Sequence, residues 1–281
     1  MATSTTPPGD DRPIALGNGV TWVGFWDSAA GLHCNPYLIV DGEEAVLIDG
    51  GSRPDFSTVM MKVLQAGVAP HQIKALIYHH YDPDLCGSLP NLEDMIRRPD
   101  LQIISAAPNH MFIRHYSTRA RLVDLTELNH RFRFASGREL QFVVTPFAHS
   151  AGSFMTFDPA SGILFTSDLF GSPGNLGGIF MTLLPDCEDH HRSNACTSHR
   201  EGCPMRVLIR FHKQFMPSTA ALRHAMSLMR GLPFKILAPQ HGAIIRDRAV
   251  ADLAIRSLEA LEHVGIDGVL AGDPDLLGRP F

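Results

Sequence analysis

The sequence predicts an α/β fold with two sheets lying between helices, and three patterns predict it. Strand-type and helix-type segments alternate in the first half, hairpin-type segments follow, and helix, strand and helix return at the end. The composition is that of a chain with a core: of 281 residues, 44% are hydrophobic and 19% charged. That length fits one large domain. No internal repeat, low-complexity run or linker divides it, so one domain over residues 1–281 is expected, with 1–13 as a flexible leader.

The elements follow in order. "VTWVGFW" and "NPYLIV" are β-rich runs, and "EEAVLIDGG" is an apolar strand ending in Asp-Gly-Gly. Ser52 is expected to cap the helix that follows, with Pro54 in its first turn. Phe56, Val59, Met60, Val63 and Leu64 form that helix's apolar face, and Gly67 ends it. "IKALIYH" reads as a buried strand, "LPNLEDMIRR" as a helix and "LQIISA" as a strand. "RFRFASGRELQFVVTPF" reads as a hairpin around Ser-Gly, and "SFMTFDPASGILFTSD" as another turning from Asp158 to Gly162. From about Arg206 the pattern returns to helix. Ala221, Leu222, Ala225, Met226 and Met229 make an apolar stripe closed by Gly231. "FKILAPQHG" is a final strand and turn, and Val250, Leu253, Ala254, Leu258 and Leu261 mark a last helix.

Charge and composition exclude several functions. A formal charge of −5 offers no basic surface for nucleic acid. No apolar run is long enough to span a membrane, and the N-terminus has no basic and apolar signal regions. A cytoplasmic location is expected, with neither nucleic acid nor membrane as partner. Five cysteines, three of them in one segment, do not make a disulfide framework.

Fifteen histidines are the compositional anomaly. Four places put a carboxylate or imidazole just after a β-type run: His80-Tyr-Asp82-Pro-Asp84, His149, Asp168 and His241. Loops at one sheet edge bring distant residues together on a rigid frame. Imidazole nitrogen and carboxylate oxygen are donors that iron, manganese and zinc accept. A single His or Asp at a strand end is most often a turn or cap residue. Four together would need four separate bland explanations.

"HHYDPDLCGS", "AHSAGSFMTFDPASGILFTSDLFG", "FMPSTAALRHAM" and "LAPQHG" resemble the metallo-β-lactamase-fold diiron domain of flavodiiron proteins, in the right order from Ile14 to Leu261. The resemblance implies a metallo-β-lactamase-like four-layer αββα sandwich. Hydrolases of that fold carry H-x-H-x-D-H and flavodiiron proteins H-x-E-x-D-H-x-G. This chain reads His80-Tyr81-Asp82-Pro83-Asp84-Leu85-Cys86-Gly87. The resemblance implies two non-haem irons, one on His80, Asp82 and His149, the other on Asp84 and His241, with Asp168 bridging. Carboxylate in place of imidazole at Asp82 adds negative charge, which favours iron cycling between ferrous and ferric over redox-inert zinc.

Two departures stand out. Asp82 is one methylene shorter than the family's Glu, and Leu85 stands where the family has a second-iron histidine. A leucine cannot ligate, which leaves a coordination position for water, dioxygen or a substitute residue. His79 and His33 are the near-site candidates, although adjacent residues on an extended run face opposite ways. Cys34 and Cys86 read as small packing residues. No flavodoxin unit follows His241, so no FMN is expected. The resemblance to stand-alone oxygen-binding diiron proteins implies binding of dioxygen, or of nitric oxide, as sensor or carrier. Reduction of either would need an external electron donor, and a signalling partner and a homodimer are further expectations.

A second cluster, "CEDHHRSNACTSHREGC", holds Cys187, His190, His191, Cys196, His199 and Cys203. Its Cys-x2-His pairs suit a tetrahedral zinc. Its cysteines also suit a thiol pair that feeds electrons to the irons, and a plain polar loop is the bland reading. Two other function classes remain open: a zinc hydrolase of thioesters or lactones acting through metal-bound hydroxide, and a metal-poor scaffold that binds partners.

Overall fold

Strand alternation decides which layer each side chain joins. The computed structural model describes residues 11–116, 119–174, 178–183, 203–273 and 276. In the first half the strands are β1 (Ile14–Gly17), β2 (Val20–Trp22), β3 (Phe25–Asp27), β4 (Leu32–Cys34), β5 (Tyr37–Asp41), β6 (Glu44–Ile48), β7 (Ile73–Ile77), β8 (Gln102–Ser105) and β9 (Arg121–Asp124). All but β3 and β4, which pair with each other, form a seven-stranded sheet ordered β1-β2-β5-β6-β7-β8-β9. Pairing is antiparallel through β6 and parallel from β6 to β9. The parallel crossovers carry α1 (Phe56–Gln65), α2 (Pro83–Cys86), α3 (Leu89–Ile96) and α4 (Ala107–Ile113).

The second sheet runs β10 (Arg131–Arg133), β11 (Glu139–Val144), β12 (Phe154–Asp158), β13 (Ile163–Phe165) and β14 (Ile236–Ala238). The first four strands meander antiparallel, and β14 joins β13 in parallel. Helices α5 (Pro204–Phe215), α6 (Thr219–Met229), α7 (Arg248–Glu259) and α8 (Ile266–Ala271) belong to this half.

Three apolar clusters separate the layers. In β6, Val46 and Ile48 face the space between the sheets, whereas Ala45 and Leu47 join the cluster with Val59, Met60 and Val63 of α1 and Leu89 and Leu92 of α3. In β12, Phe154 faces the other sheet, and Met155 and Phe157 pack on Leu208 of α5, Leu222 of α6 and Leu258 of α7. Period-two alternation thus feeds two cores from each strand. The result is helix, sheet, sheet, helix, the four-layer αββα sandwich expected. Burying such a side chain contributes roughly 1.5–3 kcal/mol. Among the described residues, no helix is long and apolar enough to cross a membrane.

Several expectations are corrected. Ser52 does not cap α1: the helix starts at Phe56 after a turn over 53–55, and the Ser52 hydroxyl is spent on the Asp55 carboxylate. Leu64 is half exposed, and Lys62 is buried instead, its ammonium donating to the Gly24 carbonyl and lying 4.3 Å from the Trp22 ring centre. That charge is held by a carbonyl and a ring face, a partnership no helical period reports. Strands β1, β4 and β9 and helices α2, α4 and α8 are too short or too polar to have been foreseen.

Candidate metal centre

Three site residues are set by one rule: His80, Asp168 and His241 each lie three residues beyond the end of β7, β13 and β14. Backbone hydrogen bonds lace these loops together. Thr166 N–H donates to Ala238 O at 3.1 Å, Gln240 N–H to Ser167 O at 2.8 Å and Asn35 N–H to Gln240 O at 2.9 Å. His149 follows β11 with φ of 87°, and Ser167 has φ of 55°. Non-glycine residues in that left-handed region cost about 1–3 kcal/mol each and persist where the surroundings impose them, as sites often do. Gly242 has φ of 75°, and a Cβ there would come within 2.2 Å of Ser172 Oγ.

The first pocket joins His80, His149 and Asp168, with Asp82 at its rim. His80 Nδ1 is hydrogen-bonded to Ser167 Oγ at 3.1 Å, which aims Nε2 inward. That Nε2 stands 3.6 Å from Asp82 Oδ2 and 3.8 Å from Asp168 Oδ1. His149 Nε2 meets Asp82 Oδ2 at 3.0 Å, and its Nδ1 stands 3.7 Å from Asp168 Oδ2. His80 Nε2, His149 Nδ1 and Asp168 Oδ1 are buried without a hydrogen-bond partner. Donor atoms of His80, His149 and Asp168 lie within 4.8 Å of one another. Buried polar atoms are nearly always paired, so three unpaired ones facing a common point fit a cation.

The second pocket gathers Cys34, Asp84 and His241, again with donor atoms within 4.8 Å of one another. His241 Nδ1–H donates to the His33 carbonyl at 3.0 Å, which directs Nε2 to Asp84 Oδ2 at 3.1 Å. Asp168 Oδ1 is 3.8 Å from His241 Nε2, the same distance as from His80 Nε2, so it stands between the pockets. Cys34, expected only to pack, lies here because β4 pairs with the His241 turn through a Cys34–His241 bridge. Leu85 turns the other way and is fully buried in the core under α1 and α3.

The remaining sequence candidates fall elsewhere. His79 is buried, with Nδ1 3.1 Å from Asp49 Oδ2 and Nε2 2.9 Å from Thr156 Oγ1. Both ring nitrogens are engaged by the core, so its place is structural. His33 contributes its carbonyl to His241, and its ring packs edge-on to Trp26 at 5.0 Å. Cys86 is buried, with Sγ 3.6 Å from the His80 carbonyl. Cys187, His190, His191, Cys196 and His199 lie outside the described residues. Cys203 is buried in the apolar cluster at the start of α5.

Outer residues missed by sequence reasoning hold the loops. Asn35 Nδ2 donates to Pro239 O at 2.9 Å and Gly242 O at 3.0 Å, and its Oδ1 accepts from Trp22 Nε1 at 2.8 Å. His212 Nδ1–H donates to Leu208 O at 2.8 Å, and its Nε2 accepts the Phe170 N–H at 2.8 Å, two residues past Asp168. Asn35 lies two residues before β5 in "HCNPYLIV", a weak signal; His212 left none, because only packing puts α5 beneath that loop.

Electrostatics separates these histidines. Burial holds His212 down at about 4, against the Leu208 carbonyl and the Asp168 charge. Burial also opposes charge on His149, but the Asp82 hydrogen bond and the Asp168 and Asp82 charges outweigh it and raise the ring to about 9. Burial would raise Asp84, yet the His241 hydrogen bond and charge bring it down to about 2. Without metal the pocket is thus closed by imidazolium–carboxylate pairs, and a cation entering must displace their protons.

The fold is that of a metallo-β-lactamase-type domain, and the pocket is a two-part cluster of metal-donor groups at one edge of its sheets. The chain belongs to the family described as ODP family beta lactamase, whose model matches residues 32–242. It is 28% identical over 256 residues to a type A flavoprotein fprA of Rhodobacter capsulatus, covering 85% of this chain and 53% of that one. It is also 28% identical over 142 residues to a flavo-diiron protein FprA2 of Clostridium acetobutylicum, covering 50% of this chain and 34% of that one. The chain thus spans about half or less of the length of these relatives. A structure of the chemotaxis sensor ODP described as a peroxy diiron species superposes with a TM-score of 0.72 at 22% identity, over 92% of this chain and 99% of that one. The flavodiiron protein of Giardia intestinalis gives a TM-score of 0.72 at 20% identity, over 88% and 58%. At these identities the structural likeness is one of fold.

Proposed function

We propose that this chain is a non-haem diiron protein that binds dioxygen, as a sensor or carrier. His80, Asp82 and His149 would hold one iron and Asp84 and His241 the other, with Asp168 placed to serve both. The observation that carries the reading is the convergence of the unpaired His80 Nε2, His149 Nδ1 and Asp168 Oδ1 at one point, beside the carboxylate of Asp82. When bound, the iron pair supplies electrons and open coordination for a diatomic ligand. The protein's own part is to orient and to shield. Ser167 turns Nε2 of His80 inward and the His33 carbonyl that of His241, and the three carboxylates would offset the metal charge. Reduction of dioxygen or nitric oxide would draw on an external donor, and ODP and the flavodiiron neighbours support oxygen over a hydrolytic substrate.

A zinc hydrolase is the second reading. It is favoured by the thiol, carboxylate and imidazole of Cys34, Asp84 and His241, a donor set zinc accepts. Anaerobic purification, a metal count and a visible spectrum recorded as air is admitted decide between them. About two irons per chain and a new charge-transfer band on aeration are expected. Bound zinc, no colour change and ester hydrolysis would overturn the diiron reading.

A further inference from the structure

We propose that Cys34 is a ligand of the second metal, its Sγ supplying with Asp84 and His241 the donor that Leu85 cannot. The inference rests on the two-metal reading above and departs from the all-nitrogen-and-oxygen set that the motif implies.

Four observations carry it. The donor atoms of Cys34, Asp84 and His241 lie within 4.8 Å of one another. Cys34 and His241 face each other across an antiparallel backbone bridge, which sets the thiol beside the imidazole. Asp168 Oδ1, on a side chain only 5% exposed, is unpartnered and lies 3.8 Å from His241 Nε2, open toward this same point. Leu85 is 0% exposed and packed under α1 and α3, so its position contributes nothing to the pocket. The backbone makes the substitution rigid. Cys34 ends β4, bridges to His241, and precedes Asn35, whose side chain clamps both ends of the 239–242 turn.

The step is a ligand exchange without electron transfer. A metal–sulfur bond forms as the S–H bond of Cys34 breaks, and the proton goes to solvent. The proton on His241 Nε2, which faces Asp84 at 3.1 Å, would likewise pass to solvent, freeing both groups for the cation. The resulting site has one thiolate, one carboxylate and one imidazole, softer than its neighbour across Asp168. The two metals would therefore differ in affinity.

Cobalt(II) loading of the anaerobically purified full chain tests this, since cobalt–thiolate coordination gives a near-ultraviolet charge-transfer band. Wild type should take up two cobalt ions and show the band. C34S should lose the band and bind the second ion more than about tenfold more weakly. The C86S/C187S/C196S/C203S variant, which keeps Cys34 as its one thiol, should keep the band. Should C34S fail to fold, X-ray absorption of that quadruple variant loaded with zinc gives the same answer through a sulfur at about 2.3 Å. Two bound ions with no band, a band that survives C34S, or no sulfur neighbour overturns the Cys34 assignment and leaves the metal pair standing. A folded wild type that binds no metal removes the two-metal reading and this assignment with it.

Discussion

The two pockets on either side of Asp168 are assembled by different means. The first has two imidazoles and the carboxylate that stands between the pockets, with unpaired nitrogens already facing its centre. Two of its members, His80 and Asp82, come from one short loop after β7. The second is closed by the His241–Asp84 pair at 3.1 Å and draws its third group from β4, some fifty residues upstream of Asp84 in sequence. Both pockets need distant loops to meet; the first takes two of its members from one local motif, and the second takes one group from each of three segments. The difference teaches that a missing ligand position need not mean an empty pocket. Leu85 is absorbed by the helical core beneath, and a cysteine reaches the same neighbourhood from the other side.

The largest effect is expected at Asp168, the residue that faces both pockets. Asp168→Ala should reduce bound metal from about two ions to nearly none, by metal analysis after gel filtration. Retention of both ions would separate the pockets. The next effect is selective: His80→Ala and His241→Ala should each lose one ion, and the ion lost should differ. Equal spectra from the two cobalt-loaded variants would mean the pockets are not distinct.

Asn35→Ala should weaken metal binding in the second pocket by about 10–100-fold while sparing the first. It should also destabilise the fold by about 2–3 kcal/mol, because the Gly242 carbonyl and the Trp22 N–H lose the Asn35 side chain, whereas the Pro239 carbonyl keeps the Tyr37 hydroxyl. Denaturant midpoints and competitive chelation check both. The smallest effect is a pH dependence. His212 stays neutral in the fold down to about 4, whereas in the unfolded chain it takes a proton from about 6.5 downward. Its contribution is therefore complete above about 6.5 and is lost as pH falls toward 4. Between pH 7 and pH 5 wild type should lose about 2 kcal/mol that His212→Gln does not. Parallel stability curves for the two would refute that role.

How much was legible varies with the range of the interaction. Strand and helix periodicity announced both sheets, because burial on alternate faces writes itself into neighbouring residues. The Ser52 cap was misread, because Ser52 pairs with Asp55 before α1 begins. The burial of Lys62 left no signal in the helical period, because its partners, Gly24 and Trp22, lie on a segment far upstream.

The residue pattern alone carries two sheets between helices and the placement of His80, Asp82, Asp84, His149, Asp168 and His241 just after β-type runs. Those are local facts: a polar donor following an apolar run leaves the sheet at its edge. Only the tertiary structure decided that His79 is tied to Asp49 and Thr156, that Leu85 faces the core, and that Cys34 faces His241. Each of these depends on which way a side chain leaves a turn and on what another segment presents there. Nothing in the spacing of residues along the chain carries that information.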